Sequence, residues 1–174
     1  MAVRPIIRMG HPVLRRRAAA VTADHAALLP DLVRDMVETM YTARGIGLAA
    51  PQVAESLRVI VFLDIACRET DEAAPLQVLI NPEVVPVGAD TALDWEGCLS
   101  IPGLRGEVAR HARIRYSGID GTGQHVEREA TGLAARVVQH EVDHLDGILY
   151  PDRMTDMRRF GFVEELDDNE DMDQ

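Results

Sequence analysis

No stretch of the 174-residue chain approaches the ~18 consecutive apolar residues that a membrane-spanning helix requires, so no membrane role is expected. The opening MAVRPIIRMGHPVLRRR is basic, but it lacks the apolar block and small-residue cleavage site of a secretion signal. A soluble intracellular protein is the expectation, with a trimmed organellar form left open. Cysteine is scarce. Cys67 and Cys98 are the only two, too few for a disulfide framework, so each is judged alone. Cys67 closes an apolar run and reads as a small buried hydrophobe. Positive charge is short as well: 18 bases against 29 acids give a net charge of -11. That balance counts against direct nucleic-acid binding, which depends on basic patches. Seven of the acids crowd into residues 164–174, EELDDNEDMDQ, read as a solvated tail, mobile from about residue 164. Repeats are absent too, and a chain of this length with 47% hydrophobic residues suits one domain over residues 1–174.

What is present has clear periodicity. Leu29, Leu32, Val33, Met36, Val37 and Met40 recur at helical spacing and predict a helix from about Ala26 to Ala43, ending before Gly45. LRVIVFLDI (57–65) is β-branched and predicts a strand. QVLINPEVVPVG (77–88) predicts two short strands ended by interior prolines. RIRYSGID and QHVEREAT flank Gly121-Thr122-Gly123 as a hairpin. A helix follows from about Leu133 to Leu145. Its inner stripe should carry Leu133, Val137, His140, Glu141, His144 and Leu145, with Arg136 and Asp143 pointing more outward. A short helix is expected after Pro151. Strands followed by one late helix suggest an α+β fold rather than alternating α/β.

That late helix contains QHEVDHLDG (139–147). Residues four apart stack on one helix face, so His140 and His144 can offer ring nitrogens to one ion. Glu141, rotated ~100° from His140, would stand beside the ion, where it can take a proton from a bound water. A third ligand is required, and more than one candidate exists. No third histidine follows at the metzincin spacing. Glu164 and Glu165 lie at a thermolysin-like distance, but within a run of acids. Upstream, EGCLSIPG (96–103) offers Cys98 beside the compact Gly97. One thiolate and two imidazoles leave the fourth tetrahedral position open to water, as in a catalytic site. GIGLAAPQ (45–52) adds two glycines that permit close backbone approach, a short extended run able to pair with a peptide, and Gln52, an amide donor for a developing oxyanion. An HExxH metallopeptidase and a non-catalytic metal-binding domain remain open on the residues alone.

Taken together, GIGLAAPQ, EGCLS and QHEVDHLDG resemble the three signature motifs of the peptide deformylase family, and the likeness runs from about residue 5 to 155. The resemblance implies antiparallel β-sheets packed around a central helix carrying the HExxH motif. It implies a hydrolase that removes the formyl group from the N-terminal formylmethionine of nascent polypeptides and releases formate, in a cytoplasm of bacterial type. Cys98, His140 and His144 would hold one divalent metal ion. Glu141 would be the general base and then the proton donor to the amine. Gln52 and the backbone N–H of Leu99 would meet the oxyanion. The substrate would lie along Gly45, Ile46, Gly47 and Leu48 and beside Gly97, its methionine side chain in a pocket bordered by Ile46, Arg105, Leu133 and Val137. Ligand type alone suggests Zn2+, whereas the resemblance implies Fe2+ physiologically, with Zn2+, Ni2+ or Co2+ as replacements.

Three departures stand out. Arg136 occupies a position beside the pocket that is apolar in some relatives. His11 stands where aspartate is frequent and should matter only for local packing. The acidic end differs from members whose basic C-terminal helix docks on the ribosome, so ribosome association is not expected by that route.

Overall fold

The computed structural model describes residues 2–65 and 74–170, so the expectation for Cys67 lies outside the described residues. Among the described residues, eight strands form two antiparallel sheets. In chain order the elements are α1 (Leu29–Thr42), β1 (Gly47–Ala49), β2 (Val59–Leu63), β3 (Leu76–Pro86), β4 (Thr91–Cys98), β5 (Ile101–His111), β6 (Arg113–Ile119), β7 (His125–Thr131), α2 (Gly132–Leu145), β8 (Phe160–Phe162) and α3 (Val163–Glu170). One sheet runs β1-β2-β3-β6-β7 and the other β4-β5-β8. Helix α2 touches strands of both sheets. The α+β architecture with a central HExxH helix is therefore as expected.

Strand β2 shows why its sequence is almost continuously apolar. Successive side chains on a strand point to opposite faces. Ile60 and Phe62 join the cluster against Ala134, Val137 and Val138 of α2, whereas Val59 and Val61 join Leu32, Met36 and Met40 of α1. With a helix on each face, no position of the strand is left for a polar residue. A third cluster, around Leu14, Val108, Leu149 and Tyr150, packs behind the smaller sheet.

The segment expected to form two short strands is one strand, β3, with a register shift between Ile80 and Glu83. Asn81 takes a left-handed φ of 52° there, and its side-chain amide bonds both backbone groups of Val21. Pro82 lacks the N–H a regular ladder would need, and the bulge absorbs that loss rather than ending the strand. The β6–β7 hairpin forms as expected, with Ile119 opposite His125. His11, expected to matter only for local packing, is exposed and caps a 3-10 turn over Pro12–Arg15 by accepting from the Val13 N–H.

Two expectations for α2 are corrected. Arg136 and Asp143 do not point outward; they are 5% and 7% exposed. Both reach across to the smaller sheet, where oppositely charged partners receive them. Leu133, expected on the buried stripe, is 44% exposed because the first turn of α2 borders an open cleft. Helix α3 covers the start of the acidic segment, and Leu166 packs against Gly161.

The glycine that closes the HExxH motif is fixed by contact as well as conformation. Gly147 has a φ of +75°, and a Cβ there would lie 2.8 Å from the carbonyl carbon of Arg15 and 2.9 Å from its oxygen. Gly88 has a φ of +84° with nothing near its Cβ position. Gly88→Ala should cost about 1 kcal/mol from backbone conformation alone, and Gly147→Ala about 3 kcal/mol or more. Denaturant unfolding checks this, and equal costs would show that the Arg15 contact is not what demands a glycine.

Candidate metal centre

Cys98 ends β4 at a sharp turn into β5, where the register slips between Gly97 and Cys98 and Cys98 faces Ile101. That turn aims the thiol at the inner face of α2. Its Sγ lies 3.3 Å from His144 Nε2. The Ser100 N–H and the Gln52 amide also reach the sulfur, at 3.4 and 3.6 Å. The rings of His140 and His144 stand 5.1 Å apart at 72°. Among the described residues, Cys98, His140 and His144 are the one set of three donors lying within 4.8 Å of one another. Zinc–sulfur and zinc–nitrogen bonds of ~2.3 and ~2.05 Å at a tetrahedral angle place ligand atoms about 3.5 Å apart. The sulfur–nitrogen spacing already matches that, so the donor set fits a single divalent ion. Glu164 is exposed on the first turn of α3 and takes no part in this set.

A buried ionic frame holds the donors. Glu96 Oε2 lies 2.8 Å from His140 Nδ1, which fixes the ring and turns Nε2 toward the centre. Arg110 grips both oxygens of Glu96, at 2.8 and 2.9 Å, and Arg136 donates to Oε1 at 2.8 Å. Arg136 also bonds the carbonyls of Ala92 and Val108, so one guanidinium fastens α2 to both strands of the β4–β5 hairpin. On its other side Arg110 pairs with Asp143, which Arg153 holds at 2.7 Å. Buried charges persist only when each is matched, and here each is.

This surrounding sets the protonation states in the ion-free protein. Burial pushes the Glu96 carboxyl up, but the bonds from Arg110 and His140 prevail and hold it well below the usual carboxylate range. Burial and the neighbouring His140 depress His144, leaving it neutral as a ligand must be. His140 is lifted despite burial, because Cys98 and Glu96 both favour its charged form. An arriving cation therefore competes with a proton. Burial raises Glu141 to about 7, and its Oε2 has no hydrogen-bond partner among the described residues. A bound divalent ion adds positive charge that draws this carboxyl back down.

In front of the donors opens a cleft of about 600 Å³. Cys98, His140, Glu141, Gln52 and Leu99 line it, as do Gly45, Ile46, Gly47, Gly97, Arg105, Leu133 and Val137. Two expected site residues do not. His144 lies deeper, 1% exposed, and the side chain of Leu48 is wholly buried in the α1 cluster. Leu48 belongs to β1, an edge strand of its sheet, so only its backbone remains for pairing. Gln52 accepts the Ala49 N–H through Oε1 at 2.8 Å, which orients its NH2 toward Ser100 and Cys98.

The sequence reading missed Glu96, Arg110 and Val163. Glu96 stands two residues before Cys98, but a single acid in a strand gives no sign of a buried partner on a distant helix. Arg110 carries no local signal. Val163 lines the cleft from the segment after Pro151, for which only a short helix was expected.

A sequence profile described as polypeptide deformylase matches residues 3–160. Peptide deformylase 1 of Nitrosomonas europaea is 47% identical over 166 residues, covering 94% of each chain. Peptide deformylase 2 of Ralstonia nicotianae is 50% identical over 166 residues, again with 94% of each covered. A crystal structure of the class I type b peptide deformylase from Acinetobacter baumannii with Met-Ala-Ser bound superposes with a TM-score of 0.80. It is 38% identical and covers 88% of this chain and 99% of that one.

Because Glu96 orients His140, Glu96→Gln should weaken metal retention by about 10–100-fold. Competition with a chelator measures this; unchanged retention would remove Glu96 from the centre.

Proposed function

The chain belongs to the polypeptide deformylase family, and from that premise we propose which of its residues carry out the family's reaction. The protein is a hydrolase that cleaves the formyl amide of N-terminal formylmethionine on nascent peptides, leaving formate and a free amine. The observation that carries the assignment of residues is the convergence of Cys98, His140 and His144 at the base of a cleft that Glu141 and Gln52 also line.

Cys98, His140 and His144 hold a single divalent ion, which when bound supplies Lewis acidity and a water of lowered pKa. Glu141 takes the proton from the attacking water and passes it to the departing amine nitrogen. Its place supports this role: Glu141 lines the cleft beside the three donors, and its Oε2, with no hydrogen-bond partner among the described residues, is left to accept and return a proton. The Gln52 amide, already oriented, and the Leu99 backbone N–H donate to the formyl oxygen as charge develops there. Each such donor is worth about 3 kcal/mol in the transition state. The backbone of residues 46–48 pairs with the peptide, Gly45 and Gly97 border it, and the methionine side chain enters between Ile46, Arg105, Leu133 and Val137.

Ferrous iron is the ion we assign in the cell, with zinc, nickel or cobalt able to replace it; imidazole suits iron, zinc and nickel. Residues 1–174 are taken as one catalytic domain acting in a bacterial-type cytoplasm. Contact with the ribosome does not run through α3, whose acids would be repelled by RNA, and direct nucleic-acid binding is not part of the activity.

An anaerobic assay on formyl-Met-Ala-Ser, with metal analysis of the same sample, tests the assignments. Glu141→Gln should keep its metal and lose about 100- to 10,000-fold in kcat, whereas Cys98→Ala should lose the metal. Near wild-type turnover in Glu141→Gln would refute the base. Metal kept in Cys98→Ala but lost in Glu164→Ala would favour an HExxH peptidase instead.

A further inference from the structure

Gly47 lies in strand β1 with an ordinary extended backbone, so conformation alone does not require a glycine there. Its surroundings do. A Cβ built on Gly47 would stand 2.8 Å from Glu141 Cδ and 3.0 Å from Cγ, and closer still to Oε1. The three nearest atoms all belong to one side chain, the carboxylate of the HExxH motif. Gly47 is buried, and Glu141 is 5% exposed.

We propose that Gly47 is a positioning residue for the reaction: its missing side chain is the seat in which the Glu141 carboxylate rests, facing the cleft. The inference rests on Glu141 being the base. It assigns to the glycine a role separate from backbone pairing with the peptide. Strand β1 then does two things with its two sides. Its free edge takes the peptide, and its α2 side fixes where the proton acceptor stands. Gly47 is paired with Phe62 of β2, so the position of the seat is set by the register of the larger sheet. The peptide and the base are thereby located by one backbone segment.

The nature of the contact decides what a methyl group would do. Added bulk against backbone must disrupt the fold, but the tip of a glutamate can swing aside. Gly47→Ala should therefore fold with little loss of stability, and the displacement falls on the base. A shift of about 1 Å in a catalytic group costs on the order of 100-fold in rate.

The test is a double-mutant cycle on metal-loaded protein with formyl-Met-Ala-Ser, using Gly47→Ala, Glu141→Asp and the pair. Gly47→Ala should lower kcat about 100-fold while KM changes less than about threefold and metal content holds. Glu141→Asp removes one methylene from the crowded side chain, so on that background Gly47→Ala should cost about tenfold or less. Equal cost on both backgrounds would overturn the proposal, as would a loss confined to KM, which would point to peptide pairing alone. Loss of fold or metal in Gly47→Ala that Glu141→Asp does not restore would also overturn it. Glu141→Gln, assayed beside the cycle, keeps the two failures distinct: normal turnover there would remove the base assignment itself.

Discussion

The pinning of strand β4 to helix α2 is the constraint on which the cleft depends. The donors come from these two elements, and nothing in their backbone hydrogen bonding joins them. Glu96, beside the Arg136 bond to the Ala92 carbonyl, makes the joint. It projects from β4 two residues before the sulfur and meets His140 and Arg136 of α2, together with Arg110 of β5. Removing one member of a buried pair costs about 3–5 kcal/mol, because the charge left behind is unmatched. A slip of the hairpin along the helix would uncouple several such pairs at once, so the frame favours one placement of Cys98. Conformational specificity, rather than net stability, is the physical reason for so much buried charge beside the centre.

The sheets extend the same logic outward. Helix α2 is held on one side by the apolar face of the larger sheet and on the other by ionic contacts with the smaller one. The apolar side sets how deep His144 sits, and the ionic side sets how His140 is turned. Gln52 arrives from the turn after β1, its carbonyl oxygen tied to Ala49, so its amide cannot rotate freely. His140 and Gln52 are thus each held in place by a fixed partner, as preorganised electrostatic stabilisation requires.

Much of this was legible in the sequence, for a definite reason. Helical spacing places His140 and His144 on one face whatever the rest of the chain does, and the β-branched apolar run of β2 announces a strand. The fate of Arg136 was hidden. A lone arginine on the flank of an apolar stripe reads as solvated, and what draws it inward is Glu96, 40 residues away on another element. The β4–β5 hairpin was also obscured, because β4 opens with exposed residues and carries Asp94 and Glu96 where a strand usually has apolar side chains. β3 was divided by reading Pro82 as a terminator, when the bulge at Asn81 lets the strand run through. The closeness of Gly47 to Glu141 needs coordinates, since residues 47 and 141 share no local pattern.

The central claim is that one sulfur and two imidazole nitrogens from this chain bind a single ion and leave a corner for solvent. X-ray absorption at the metal edge of the zinc-loaded protein addresses it directly. The account expects one sulfur neighbour near ~2.3 Å, two imidazole nitrogens at about 2.0–2.1 Å, and a remaining light atom that exchanges with added ligand. A shell without sulfur, or one closed by a fourth protein donor that no added ligand displaces, would contradict it.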